Sequence, residues 1–247
     1  MRNVWLIAGK EFRSYLTSPM AYIVTFIFLV LSGVFFVLYL TLGNYNDTSI
    51  RGFVDPLAVF GVPAPGNVLL LVFGIVLTMR TMAEEKKLGT WELLLTSPVR
   101  DVEIVTGKYL GSMGIMLGML VLTLYYPLLI IGYGDPDIGP IWTSYLGLLL
   151  LGSTVVSVGI FGSSLTSNQI IAAVVSGAIL FGLWLFGWIA GNAPSAIQKV
   201  LSYLSISSHF AGFEIGVIDT RDIIYFLSMT VLFLYLSVRS IESSRWS

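Results

Sequence analysis

Few residues in this chain have the types and spacing for chemistry. His209 is the single histidine and there is no cysteine, which excludes disulfides, thiol chemistry and cysteine-based metal sites. A solitary histidine in a loop reads as a surface or interfacial packing residue rather than a ligand or a base. Gly107-Lys108 has the ending of a phosphate-binding loop. Tyr109 follows, however, where a serine or threonine would hold magnesium, and no glycine stands at position 102. G-x-S-x-G, H-E-x-x-H and an intramembrane aspartate pair are missing as well. The chain is therefore expected not to be an enzyme, and to carry no catalytic, cofactor-binding or metal-ligating residue of its own.

The remaining chemistry is charge, and it is concentrated in "TMAEEKKLGTWELLLTSPVRD", residues 81–101. Elsewhere charge is scarce: 56% of the 247 residues are hydrophobic, 11% are charged, and the mean hydropathy is +0.88. A soluble domain carries about twice that charge fraction, so a polytopic membrane protein is expected. The net charge of −1 gives no electrostatic case for nucleic acid.

Local physics shapes the charged stretch. The apolar segment before it can run out of the membrane into Glu84, Glu85, Lys86 and Lys87. Gly89 suits the C′ position that closes such a helix. Thr90 is then the expected N-cap of a new helix, with Glu92 in its first turn, where the dipole favours an acid. This helix, 91–96, is short, because Ser97 precedes Pro98 and is pushed out of the α region. Asp101 is expected to cap the helix that follows, which passes Lys108 into the membrane. Trp91, Leu94 and Leu95 give the short helix an apolar face. Two readings stay open on these grounds alone: leucines resting on the membrane surface, or a docking surface for a soluble partner.

Six segments have the roughly 20 mostly apolar residues of a membrane-crossing helix: 21–42, 66–82, 109–133, 141–165, 170–190 and 223–238. The first is expected to be a retained span rather than a secretory signal. With the N-terminus inside, ten of the 13 lysines and arginines fall on the cytoplasmic side and three, Arg51, Lys199 and Arg221, outside. The positive-inside rule thus places both termini in the cytoplasm. Residues 1–20 form an amphipathic prelude, with Trp5, Ala8, Phe12 and Tyr15 at helical spacing, expected to lie in the interface plane. The external loop 191–222 has its own pattern at Ile197, Leu201 and Leu204, expected as one or two short helices on the outer face. Small residues stud the fourth span (Gly147, Gly152, Ser153, Ser157, Gly159) and the fifth (Ala173, Ser176, Gly177), where they allow close helix packing. The whole chain, 1–247, reads as one all-α transmembrane domain.

The run "EEKKLGTWELLLTSPVRDVEIVTGKYL" resembles the cytoplasmic loop of ABC transporter permeases of the type-2 exporter class. It matches at Glu84, Glu85, Lys86, Gly89, Thr90, Glu92, Leu93, Leu94, Ser97, Pro98, Gly107 and Lys108. "KEFRSYLTSPMAYIV", "SSLTSNQIIAAVVS" and "SHFAGFEIGVIDTRDIIYFLS" resemble, in order, that family's N-terminal helix, its fourth-to-fifth connection and its last external loop, and the last two stretches are similar to the gliding-motility-associated branch of that class. The resemblance implies a permease in a prokaryotic plasma membrane, paired with an identical or paralogous permease. It also implies that loop 83–108 seats a coupling helix on a separate ATPase, which holds the ATP and magnesium. The ATPase-facing set would be Glu84, Glu85, Gly89, Thr90, Trp91, Glu92, Leu94, Leu95, Ser97 and Pro98. The competing expectation is an ion-coupled secondary transporter or channel. The absence of ionisable groups in the middle of the six segments weighs against it.

Overall fold

The structure is a computed structural model and describes residues 2–42, 68–92, 99–133, 138–191 and 194–244. Every regular element among them is helical. α1 (Arg2–Thr17) is the amphipathic prelude. Its inward stripe is Val4, Ile7, Ala8, Glu11 and Tyr15, spaced by threes and fours. Trp5 and Phe12 sit on the shoulder of that stripe and are 72% and 38% exposed. The chain turns at Ser18, where Pro19 disfavours continued helix, and α2 (Pro19–Leu42) begins.

Among the described residues, five helices are long and apolar enough to cross a membrane: Pro19–Val37, Asp101–Gly132, Ile138–Ser164, Gln169–Ala190 and Thr220–Ser244. The expected segment 66–82 is not a single helix of spanning length among the described residues. It contains α3 (Val68–Thr78), of 11 residues, a turn over 79–82, and then α4 (Ala83–Lys87). Backbone bonding nevertheless carries through the turn, from Met79 N to Ile75 O and from Glu84 N to Arg80 O.

α5 (Asp101–Thr123) and α6 (Tyr125–Tyr133) form one apolar rod interrupted at Leu124. The cause is Pro127, which has no N–H to give to the Thr123 carbonyl. The expected cap also shifts by one residue. Arg100 takes the N-cap position and Asp101 lies in the first turn, while the Glu103 carboxylate accepts the Arg100 N–H at 3.2 Å.

α7 (Ile138–Ser164) is the axis of the molecule: 83% of its spanning window is buried, against 17% for α8 (Gln169–Ala190). Its small residues permit this. A Cβ at Gly147 would stand 2.8 Å from Phe213 Cβ, and one at Gly152 would stand 3.2 Å from Met116 Cγ. Its hydroxyls are satisfied inside the bundle: Thr154 bonds to the Phe226 carbonyl at 3.2 Å and Ser153 meets Thr230 at 3.1 Å. The main core gathers α3, α5, α7 and the last two helices. A smaller one joins Tyr15, Val24, Phe28, Phe73, Leu77, Ile115 and Met119 where α1 and α2 meet α3 and α5.

Loop 191–222 contains two helices, α9 (Ser195–Leu204) and α10 (Ile206–Glu214). Only α9 keeps an exposed apolar face, with Ile197 54% and Val200 60% accessible. α10 does not lie on the surface, because Ile206, Phe210 and Phe213 are fully buried in the main core. His209 is a packing residue, as its isolation suggested. It stacks on Tyr225 with ring centroids 4.0 Å apart and joins α10 to Asp222 of α11 (Thr220–Ser244) at 2.7 Å.

A candidate coupling platform at the charged end of the bundle

The loop expected over 83–108 begins where α3 breaks. That break is stitched by one side chain of α7. The Ser163 hydroxyl accepts the N–H groups of Met82 and Ala83, each at 2.9 Å, and donates to the Met79 carbonyl at 3.1 Å. Ser163, Met82 and Ala83 are buried, so the two N–H groups have no access to water as an alternative. One residue further, the Ser164 carbonyl accepts from Lys86 Nζ and from the Ser240 hydroxyl of α11. The ends of α4, α7 and α11 are thereby tied together.

A second tie runs through Lys108. Its side chain is 2% exposed. Its ammonium lies 2.9 Å from Glu85 of α4 and 3.3 Å from Glu11 of α1, and donates to the Thr81 carbonyl at 2.8 Å. A buried ammonium needs such a cage, because desolvation of an unpaired charge costs several kcal/mol. Burial holds the Glu11 carboxyl above the usual carboxylate range, and the Lys108 charge offsets only part of that rise.

α1 reaches this position because α5 has glycine at two of its close approaches to α1. A Cβ at Gly107 would stand 2.7 Å from Ile7 Cβ, and one at Gly111 would stand 2.6 Å from Glu11 Cβ. Gly107 and Gly111 thus form a small-xxx-small seat for α1. The bonds of Tyr15 and Arg80 complete the joint. The Tyr15 hydroxyl donates to Leu77 O at 2.7 Å, and the Arg80 guanidinium lies 4.5 Å over the Tyr15 ring and bonds to Ser18 at 2.9 Å.

On this frame stand the residues singled out from the sequence. Gly89 has a φ of +71°, the left-handed geometry that closes a helix and that glycine adopts without strain. Its neighbour Thr90 is exposed and already helical, and its hydroxyl points back to the Glu85 carbonyl at 3.3 Å instead of capping forward from the expected N-cap position. Glu92 is exposed and Glu84 and Glu85 are half-buried. Trp91, expected on the outward apolar face, is instead 6% exposed and part of the main core, with Lys86 Nζ 5.5 Å above its ring. Leu93, Leu94, Leu95, Ser97 and Pro98 lie outside the described residues.

Sequence reasoning missed Glu11, Tyr15, Arg80, Ser163 and Ser164 as parts of this end, and gave Lys108 no structural role. One signal for Glu11 was available: an acid at the inward register of an amphipathic helix, four residues after Ile7 and four before Tyr15, calls for a buried cation.

Residues 44–239 match the family described as ABC-2 family transporter protein. A protein of Escherichia coli K12 named "Probable multidrug ABC transporter permease YbhS" is 25% identical over 205 residues, which is 77% of this chain and 54% of that protein. Its counterpart in Escherichia coli O157:H7 matches to the same extent. The chain spans about half the length of these curated relatives. Helices of spanning length, an apolar exterior and a match over most of its residues agree, and the chain belongs to the ABC-2 family of membrane transporter proteins, as a multi-pass permease.

Proposed function

We propose that the chain is the permease subunit of an ATP-driven exporter in a prokaryotic plasma membrane. It works beside a second permease, identical or paralogous, and on a separate ATPase that binds ATP and magnesium. The reading has six spans, the second formed by 66–82 with its broken cytoplasmic end, and both termini in the cytoplasm. The resemblance to the gliding-motility-associated branch goes with this reading but names no cargo. The relatives' names make multidrug compounds the cargo class to test first.

The observation that carries the proposal is the frame under the loop. Lys108 joins α1, α4 and α5, and Ser163 and Ser164 join α4, α7 and α11. A force applied to Gly89–Glu92 would pass through α4 to α1, α5, α7 and α11 by buried and part-buried polar contacts rather than through a free loop. An ATPase docked there would move the spans as it closes.

The test uses Leu94→Ala with Leu95→Ala, and separately Glu92→Lys. Truncating two anchors at a docked surface costs about 2 kcal/mol or more, roughly a thirtyfold weaker contact. The expected pattern is normal membrane levels with loss of the co-purifying ATPase. Retention of the ATPase at wild-type stoichiometry in both variants would remove the loop from the interface.

A further inference from the structure

We propose that the groove between α1, α2 and α5 is a binding site for one anionic bilayer lipid, with an acyl chain along α5 and the phosphate on the basic side of α1. The groove has a volume of about 360 Å³, and its walls include Phe12, Leu16, Tyr22, Met119 and Leu122. Tyr22 directs its hydroxyl to the Leu16 carbonyl at 2.6 Å, closing the corner between α1 and α2. Glycine shapes the floor. A Cβ at Gly114 would stand 3.0 Å from the Phe12 ring, whereas one at Gly118 would meet nothing within 4 Å. The α5 face from Gly114 to Leu122 is about 12 Å long at the helical rise, the scale of an extended hydrocarbon chain, and it runs from α1 toward the middle of the span.

Charge selects the occupant. Arg2, Lys10 and Arg13 of α1 are exposed, while its one acid, Glu11, turns inward to Lys108. The outward charge of α1 is therefore wholly cationic, and Arg13 lies one residue from Phe12 and three from Leu16 at the groove. A carbon-lined slot beside a helix whose outward charge is cationic fits an amphiphile with an anionic head, and basic residues at the surface each add to the attraction for anionic lipid. An apolar cargo or a cation gains nothing from that charge. The inference is independent of any ATPase.

The test is native mass spectrometry of the full chain in mild detergent, titrated with phosphatidylglycerol and, separately, phosphatidylcholine. The wild type is expected to retain one phosphatidylglycerol in preference to phosphatidylcholine. Gly118→Leu, whose Cβ would meet no atom within 4 Å and whose branch would enter the slot, is expected to weaken that binding by roughly tenfold. Gly182→Leu on α8, where a Cβ also meets nothing, leaves it unchanged. Lys10→Gln with Arg13→Gln abolishes the headgroup preference, and because both are surface changes they keep the test valid if Gly118→Leu lowers thermal stability. Equal binding by the Gly118 and Gly182 variants, a wild type without headgroup preference, or occupation of the face by a second copy of the chain would each overturn the proposal.

Discussion

Replacing Lys108 by methionine keeps an unbranched side chain one atom shorter and removes its charge. Glu11 and Glu85, 15% and 24% exposed, are then left facing each other with no cation between them. Removing one partner of a buried ion pair costs about 3–5 kcal/mol, and the partial exposure of both acids argues for the lower end, about 3 kcal/mol. A chain of this size loses roughly 2–4 °C in Tm per kcal/mol, so thermal unfolding in detergent should show a drop of about 6–12 °C. The loss depends on pH with a definite sign. The folded Glu11 carboxyl already lies above the usual carboxylate range, so the folded state holds its proton more tightly than the unfolded chain does. Its contribution to stability is complete below the unfolded value and fades as pH rises through the folded one. Without Lys108 the rise is larger, and the Lys108→Met deficit should shrink as the pH falls toward 5. Adding Glu11→Gln and Glu85→Gln to Lys108→Met should recover most of the loss, because no uncompensated charge remains. A Tm within 2 °C of wild type for Lys108→Met, or a triple variant no more stable than the single one, would refute the ion cage.

Further outcomes follow from other parts of the same end. Ser163→Ala strands the Met82 and Ala83 N–H groups in a buried site, at about 1–3 kcal/mol for each unsatisfied group; Ser163→Thr, which keeps the hydroxyl, should lose less in the same unfolding assay. Gly107→Val drives a side chain into Ile7 and the Val4 carbonyl and should release α1, read as faster hydrogen exchange over residues 2–17 with the spans still protected. Orientation is testable because the chain has no cysteine: Gln198→Cys should react with an impermeant thiol reagent in intact cells, and Lys87→Cys and Ser243→Cys should react only after permeabilisation. Labelling of Lys87→Cys from outside would invert the proposed topology.

The sequence told most where a pattern is local. Long apolar runs located the five helices of spanning length, and Gly89 was legible because a helix end that needs positive φ favours glycine. The segment 66–82 was less legible: its apolar run hides a break after Thr78 that depends on a serine 84 residues from Met79. Trp91 was misjudged because an aromatic at the register of an expected apolar face can equally turn inward, and here it joins the main core beneath Lys86. α10 reads as a surface helix by composition, yet Phe210 and Phe213 fill the space that glycine leaves at position 147. The Glu11–Lys108–Glu85 cage joins positions up to 97 residues apart, and only packing of α1 on the Gly107 and Gly111 seat brings them together.

Under the proposed function, this permease moves cargo only when an ATPase works on its charged end. The direct measurement is cargo flux in proteoliposomes containing the chain and its co-purifying ATPase, at zero ion gradient, with and without ATP. The expected result is flux that requires ATP and the ATPase, and that falls with Glu92→Lys while membrane insertion stays normal. Flux through this chain alone without ATP, driven by an imposed ion gradient and indifferent to Glu92→Lys, would contradict it.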